Sequence, residues 1–435
     1  MSELLIRVLA LYVPILAVSI ALQIRRPTKR ERSAVLLACL WNMPALAIVH
    51  TLALQHGWWT IHGSGGVMLF GMPIELLVGW MLLWGALPVL VAPDLPLSAV
   101  VLILFAFDYA IMPRCAPVVR LAPAPTWLIG EAVAIALCLI PAQLFARWTR
   151  DDRRLAARAT LQVICFGALV LWLVPSALFE HVGRGWSVLY SYDRRSLSIA
   201  LQLVALSALP GLTAVQEFVT RGGGTPVPFD PPKRLVTTGI YAYIANPMQF
   251  SAALTLFTWG LVLRSWWITM SSAMAIIYGA GLAAWDEARD LDARFGAAWR
   301  RYRTHVANWR PRWRPYVELH ARLYVAFSCG KCSEVGAWLE AQRPCGLQIV
   351  PAEQHPTRDL WRMTYDPGDG TREEEGIAAL ARALEHIHLG WALTGCFLRL
   401  PIVRPCVQLI VDASGGGPQR IARRPANNAS SYCPR

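Results

Sequence analysis

A chain of 435 residues that is 55% hydrophobic and only 16% charged is too apolar for a soluble protein of this size. The formal net charge of +13 comes without any nucleic-acid-binding motif, so nucleic acid is not expected as a partner. We attribute the excess arginine to cytoplasmic loops and to contact with membrane lipids.

Apolar runs long enough to cross a bilayer recur from the start of the chain to residue 285. We expect an all-α, multi-pass membrane protein with about nine transmembrane helices, followed by a small α/β domain. The predicted spans are approximately 3–24, 33–54, 67–91, 97–113, 126–146, 159–181, 196–219, 248–264 and 266–285.

Positive charge predicts the orientation of these spans. Arginine is concentrated in the loops 25–32 and 147–158, whereas the loop 55–66 holds neither lysine nor arginine. Basic loops stay in the cytoplasm, so the N-terminus is expected outside and the C-terminal domain inside. A bacterial-type inner membrane is the expected location.

Three acidic residues, Glu75, Asp108 and Glu131, fall inside apolar runs. Carboxylates at this depth are costly and should face the interior of the bundle. They could form a second polar site or a substrate cavity. They could equally make hydrogen bonds between helices, or mark misplaced span edges.

The stretch Arg221–Met248 differs from everything around it. Three consecutive glycines and five prolines exclude a continuous helix. Irregular backbone cannot face lipid, so this stretch should lie at the membrane interface or line a protein-walled cavity.

Two blocks of sequence flank the last pair of apolar runs. The first is PPKRLVTTGIYAYIANP, residues 231–247, and the second holds Asp286-Glu287, Leu291 and Phe295-Gly296. Together they resemble the isoprenylcysteine carboxyl methyltransferase and phospholipid methyltransferase superfamily over residues 195–315. Ala245 and Gln249 depart from the family pattern, which has arginine and an aromatic residue there.

The resemblance implies a membrane-integral methyltransferase that uses S-adenosylmethionine on an apolar or lipid-like acceptor entering from the bilayer. The cofactor-binding residues that it implies are Gly239, Tyr241, Tyr243, Asn246, Pro247 and Glu287. Other roles stay open for these residues. The tyrosines suit a membrane-interface belt, Asn246 suits a helix N-cap, and Glu287 suits an exposed interfacial charge.

Beyond the apolar runs, Phe295, Trp299 and Tyr302 recur at helical spacing. Such an aromatic face suits a helix lying in the lipid headgroup layer. Pro311 and Pro315 should end that helix and form a linker.

From Arg322 the pattern is that of a small α/β domain. A strand at 323–327, Cys329-Gly330-Lys331-Cys332, a helix at 333–342 and a strand at 347–350 are typical of a thioredoxin-like arrangement. The helix N-terminus and Lys331 should lower the pKa of Cys329. The domain resembles the DCC family of thiol-disulfide oxidoreductases, which implies catalytic Cys329 and Cys332 and a thiol-disulfide partner protein.

Two alternatives remain for this pair. Cys329, Cys332, Cys345 and His355 could bind zinc, although their spacing fits no standard finger. The thiols could also be idle in a retained fold.

The predicted domains are a helical region 1–194 of unknown role, a methyltransferase-like core 195–315, a thioredoxin-like domain 316–415 and a disordered tail 416–435. The predicted function is methyl transfer. The alternatives are a membrane redox protein working through Cys329 and Cys332, and a non-enzymatic scaffold or transporter lined by the three buried acids.

Overall fold

The computed structural model describes residues 2–62, 67–182, 185–226 and 232–423, and for residues 282–287 it describes the backbone alone. Contacts divide the chain into two compact units. The first holds Met1–Ser198, Gly223–Lys233 and Trp259–Met270, and the second holds Ile199–Gly222, Arg234–Thr258 and Ser271–Arg435. The second unit therefore includes residues on both sides of the boundary predicted at 315.

Seven helical segments in the described part of the chain are long and apolar enough to cross a membrane. They are Glu3–Arg25, Lys29–His56, Ile74–Val91, Leu97–Cys115, Thr126–Arg150, Leu155–Val182 and Arg194–Gly222. They coincide with the first seven predicted spans, which confirms a largely helical, polytopic protein.

The predicted total of about nine spans is not confirmed. The eighth predicted run forms a helix of 16 residues, Pro247–Val262, and the ninth begins a second helix at Trp266–Tyr278. A further pair, Leu389–Leu398 and Val403–Gly416, is apolar enough when taken together, but it bends by 90°.

The first unit is built around nine α-helices and four short strands. The helices are α1 Glu3–Arg25, α2 Lys29–His56, α3 Ile74–Met81, α4 Leu87–Val91, α5 Leu97–Ile111, α6 Thr126–Ala134, α7 Ile140–Arg150, α8 Leu155–Ala168 and α9 Val174–Val182. The strands are β1 Trp59–Ile61, β2 Met68–Leu69, β3 Met72–Pro73 and β4 Val119–Leu121, paired β1 with β4 and β2 with β3. Segments of π-helix join α3 to α4, α6 to α7 and α8 to α9.

Helix α2 is the centre of this unit and packs on α7 more than on any other helix. It begins at a capping box: the Thr28 side chain accepts a hydrogen bond from the Glu31 backbone N–H, and the Glu31 side chain accepts one from the Thr28 backbone N–H. Of the three acids predicted at apolar depth, Glu75 pairs with Arg7 of α1 at 3.0 Å. Glu75 therefore joins two helices, as one of the alternatives predicts.

The second unit holds the remaining elements, with α10, α11 and α12 each divided between the two units. Its helices are α10 Arg194–Glu217, α11 Pro247–Val262, α12 Trp266–Tyr278, α13 Ala284–His305, α14 Gly330–Ala341, α15 Ile377–Leu384, α16 Leu389–Leu398 and α17 Val403–Val411. Its strands are β5 Ala321–Val325, β6 Leu347–Pro351, β7 Thr364–Asp366 and β8 Glu374–Glu375.

The four strands form one sheet in the order β6-β5-β7-β8. Strand β5 is parallel to β6 and antiparallel to β7, which is antiparallel to β8. Leu323 and Val325 of β5 pack with Leu339 of α14 and Ala379 of α15 in a buried core. The structure thus has a strand, a helix and a second strand close to the positions that the sequence predicts.

The first part of the predicted disordered tail is attached to this sheet domain. Leu360 and Ile421 exchange two backbone hydrogen bonds, and the Gln419 N–H donates to the Trp361 carbonyl at 3.0 Å. Disorder is therefore the wrong prediction for this stretch. Residues 424–435 lie outside the described residues.

The aromatic face of α13 packs into protein, which corrects the prediction that it lies in the headgroup layer. Trp299 and Tyr302 are buried against Ala245 and Tyr316. The Tyr302 hydroxyl donates to the Tyr241 carbonyl at 2.7 Å. An aromatic stripe can bury its surface against protein or lipid, and here protein supplies the contacts.

Tyr302→Phe should remove this buried hydrogen bond and leave the Tyr241 carbonyl without that donor, which costs about 1 kcal/mol. We expect a lower thermal unfolding midpoint for the detergent-purified protein. Tyr190→Phe is the matched control, because Tyr190 is 89% exposed. Equal midpoints for the two variants would contradict this role of Tyr302.

Candidate functional site

The segment 239–247 is a short turn followed by a helix. Gly239–Ala242 forms one turn of 3-10 helix, and Pro247 is the first residue of α11. Proline suits that position because its missing N–H would have no partner in the first helical turn.

The predicted linker after α13 holds this segment in place through backbone hydrogen bonds. They run from the Ala245 N–H to the Ala307 carbonyl at 2.9 Å, from the Arg312 N–H to the Tyr243 carbonyl at 3.0 Å, and from the Tyr316 N–H to the Ala242 carbonyl at 2.8 Å. Residues 307–316 are therefore part of the site scaffold, which corrects their prediction as a linker.

Tyr241 and Tyr243 are buried within the protein, so neither is a membrane-belt aromatic. Tyr241 stacks on Phe218 with ring centroids 5.3 Å apart. Tyr243 is fully buried, and its hydroxyl donates to the Glu385 carbonyl at 2.8 Å. Their direct contact with a cofactor stays a prediction.

Gly239 is the residue for which the backbone demands glycine. Its φ is +62°, and a Cβ there would lie 2.8 Å from Cδ of Glu217. The neighbouring Thr238 hydroxyl donates to Glu217 Oε2 at 3.0 Å. The start of the segment is thus fitted closely against the Glu217 carboxylate.

Glu217 belongs to a buried network of charges that the sequence did not predict. Its Oε1 lies 2.8 Å from Arg382 Nη1 and 2.5 Å from Arg399 Nη2. Arg382 also contacts Glu374 at 2.7 Å, and Arg399 contacts Glu385 at 2.7 Å. The sequence does contain one indication of this network, which is the presence of charged residues within or beside otherwise apolar helices.

A second polar group lies at the start of α11. Asn246 Nδ2 donates to Gln249 Oε1 at 3.3 Å. A Cβ on Gly279 would lie 2.7 Å from Gln249 Oε1 and 2.8 Å from Trp309 Cζ2, so both side chains approach the end of α12 closely. Within the described residues, the indole N–H of Trp309 is buried without a hydrogen-bond partner.

Glu287 follows this corner in sequence. A π-helical segment, Gly279–Ala283, continues α12 and leads into α13, which contains Asp286 and Glu287. π-Helical segments are common at functional sites. The side chains of Asp286 and Glu287 lie outside the described residues, so a contact between Glu287 and the corner stays a prediction.

The two departures from the family pattern have structural partners. Ala245 is buried against Trp299, and an arginine side chain at position 245 would need the volume that the Trp299 ring occupies. Gln249 supplies the acceptor for Asn246. Both departures are therefore built into the packing of this chain.

A cavity of about 240 Å³ lies on the Gly239 side of the segment. Its wall includes residues of the segment and of the sheet domain: Arg221, Arg234, Thr238, Gly239, Ala242, Tyr316, Tyr365, Asp369, Glu385 and His386. Burial, and then Arg382, lower the pKa of His386 to about 4, so this imidazole is neutral at pH 7. The cavity presents both signs of charge and can accept a polar or zwitterionic group.

The cysteine pair occupies the start of α14. Cys329 is the N-cap residue and Cys332 lies in the first turn. The Cys332 thiol, the Cys332 backbone N–H and Lys331 lower the pKa of Cys329 below its usual range. Burial, followed by Cys329, raises the pKa of Cys332 to about 11. The two thiols are both partly buried, and they differ in that Cys329 has the lower pKa.

A cavity of about 430 Å³ opens beside this pair. Its wall is largely apolar and includes Cys329, Cys332, Val335, Trp361, Leu380, Ile410 and Ile421. It can receive an extended, partly apolar polypeptide next to Cys329.

The zinc alternative is not supported. Among the described residues, no group of three or more His, Cys, Asp or Glu side chains is placed to hold a metal ion. The Cys345 N–H donates to the His386 carbonyl at 2.7 Å, and His355 Nε2 lies 3.1 Å from Glu373.

Comparison with known proteins gives one match. Residues 198–297 match the family model described as phospholipid methyltransferase. No curated protein and no solved structure gives a significant match. The matched residues include Gly239–Pro247 and Asp286–Gly296, so the match and the polytopic fold together indicate a membrane methyltransferase.

Gly239→Ala should destabilise the site, because alanine at φ +62° is strained and its Cβ would clash with Glu217. We expect a lower unfolding midpoint. Gly281→Ala is the matched control, since a Cβ there meets nothing within 4 Å. A Gly239→Ala midpoint as high as that of Gly281→Ala would show that the fit to Glu217 is loose.

Proposed function

We propose that this protein is a membrane-integral, S-adenosylmethionine-dependent methyltransferase acting on an apolar or lipid-like acceptor. The observation that carries the proposal is the match of residues 198–297 to the phospholipid methyltransferase family. Within that segment, Asn246-Pro247 precedes the helical hairpin α11–α12 and Asp286-Glu287 follows it, which is the order in the family pattern.

The corner formed by Asn246, Gln249 and Trp309 is the place that we propose for the cofactor. S-adenosylmethionine would supply a methyl group on a sulfonium: the acceptor would attack the methyl carbon in line, the carbon–sulfur bond would break, and S-adenosylhomocysteine would leave. The protein's task is to orient both partners and to exclude water. The Asn246 amide and the Trp309 N–H can hold polar groups of the cofactor, and Glu287 would accept from its ammonium or ribose hydroxyls.

Lipid-like acceptors are favoured by the surface of the hairpin. Met274, Ile277 and Tyr278 of α12 are 67%, 65% and 64% exposed. Large apolar side chains in such number suit contact with acyl chains in a protein of this fold. An acceptor that lies in the bilayer can therefore approach the corner from the side.

Charge supports a cytoplasmic location for the site and for the sheet domain. The basic loops 25–32 and 147–158 favour the cytoplasmic side, and any loop separated from them by an even number of spans lies on that same side. S-adenosylmethionine is made in the cytosol, which agrees with that orientation.

The purified protein should bind S-adenosylmethionine, and Asn246→Ala and Glu287→Ala should each weaken that binding. Loss of a charge-assisted hydrogen bond from Glu287 corresponds to about 1.5 to 3 kcal/mol, or one to two decades in Kd. Calorimetry on detergent-purified protein measures this, with the unfolding midpoint of each variant recorded alongside.

Arg234→Ala is the control for the location of the cofactor. Arg234 lines the 240 Å³ cavity and is exposed, so its loss should leave binding at the corner unchanged. Weaker binding in Arg234→Ala with normal binding in Asn246→Ala would move the cofactor to that cavity. Absence of binding to folded wild-type protein at millimolar concentration would reject the methyltransferase proposal.

A second candidate function, thiol–disulfide exchange, is favoured by the sheet domain. The strand order β6-β5-β7-β8, with Cys-x-x-Cys at the start of the helix after β5, supports a thioredoxin-like domain of the DCC type. In the exchange, the Cys329 thiolate attacks a partner's disulfide and releases one partner thiolate. Cys332 then displaces the second partner thiol, so the partner is reduced as the Cys329–Cys332 pair is oxidised.

Cys329 should react with iodoacetamide faster than Cys332 near neutral pH, because its pKa is lowered and that of Cys332 is raised to about 11. Peptide mass spectrometry of the reduced protein measures both rates. Exposed Cys406 is the reference for reagent access. Equally slow alkylation of Cys329 and Cys332 would favour idle thiols.

A further inference from the structure

A small cavity of about 40 Å³ lies within the first unit. His50 of α2, Trp80 of α3 and Glu131 of α6 line it. His50 and Glu131 are only 2% and 3% exposed. Because a water molecule takes up about 30 Å³, the space admits about one or two non-hydrogen atoms.

The cavity wall carries a polar atom without a partner. Within the described residues, Oε1 of Glu131 is buried without a hydrogen bond, whereas the His50 ring interacts with the Gly71 backbone. A Cβ built on Gly71 would lie 3.8 Å from His50 Nε2, so this glycine is next to the ring. Buried polar atoms are nearly always bonded to protein, water or a ligand, so a polar occupant is expected here.

A second buried carboxyl group lies beside the cavity. Asp108 is 2% exposed and accepts a hydrogen bond from Trp84 Nε1 at 3.0 Å. It lies close enough to Glu131 for the two carboxyl groups to interact electrostatically. The described lining contains no arginine or lysine. Two carboxyl groups buried together require a positive charge or protons.

We propose that this cavity is a binding site for a small ammonium-type cation, either ammonium itself or methylammonium. Three tryptophans, Trp59, Trp80 and Trp84, form part of its wall, and indole stabilises such cations more than other aromatic rings do. The cation's N–H groups match the unpartnered acceptor oxygen of Glu131 and the acceptor nitrogen of a neutral His50. A multivalent metal is disfavoured, because no group of three described ligand side chains is placed to hold one.

The site is independent of the proposed methyl transfer, since it lies in the first unit and uses no residue of the matched segment. The three acidic residues of the apolar runs therefore have different roles. Glu75 is neutralised by Arg7, whereas Asp108 and Glu131 are left for a cation.

The experiment is equilibrium dialysis of radiolabelled methylammonium against full-length protein in lipid nanodiscs. Saturable binding to one site is expected, and Glu131→Gln should weaken it at least about tenfold by removing a charged acceptor. Glu75→Gln is the matched control, with the same substitution in another apolar helix, and should bind as the wild type does. Asp108→Asn should weaken methylammonium binding to the same extent. It replaces Glu131→Gln as the test variant if Glu131→Gln does not fold.

Three results would overturn the proposal. The first is an absence of saturable methylammonium binding at millimolar concentration. The second is unchanged binding in a folded Glu131→Gln or Asp108→Asn protein. The third is displacement of methylammonium by sodium as efficiently as by ammonium, which would reject the ammonium-type assignment.

Discussion

The carboxylate of Glu217 is the constraint on which the second unit depends. An ionised carboxylate removed from water is stable only with cations and hydrogen-bond donors around it. Here the partners come from distant parts of the chain: Thr238 from the segment before α11, and Arg382 and Arg399 from the sheet domain. Because removing one partner would leave a buried charge uncompensated, the carboxylate holds the segment before α11 and the sheet domain together.

This arrangement gives the sheet domain a role in the proposed methyltransferase site that does not depend on its cysteines. Helix α16 packs on the segment 239–247, and Tyr243 donates to the backbone at the end of α15. The α/β domain therefore covers one side of the segment, while Asn246 faces the corner with Gln249 and Trp309 on another. Thiol chemistry at Cys329 would use a separate cavity of the same domain.

Much of the fold could be predicted because it depends on local sequence. Span length and hydropathy are properties of short windows, and the first seven predicted spans coincide with helices. The strand and helix around Cys329 were likewise predicted from local pattern. The packing of Trp299 against protein could not be predicted, because an aromatic helix face has the same sequence pattern whether lipid or protein covers it.

The least predictable features join residues far apart in the chain. The pairing of Glu217 with Arg382, and the meeting of His50 with Glu131 at one cavity, depend on tertiary packing alone. A single sequence gives the residue types but not their partners. The Glu287 contribution to the site rests, for the same reason, on the family resemblance.

Transfer of labelled methyl groups to membrane lipid tests the central claim most directly. Membranes containing the wild-type protein are incubated with methyl-labelled S-adenosylmethionine, and the organic-extractable label is counted. The account predicts label above that of membranes lacking the protein, loss of this label in Asn246→Ala, and its retention in Cys329→Ser. No label above background, or loss in Cys329→Ser with retention in Asn246→Ala, would contradict it.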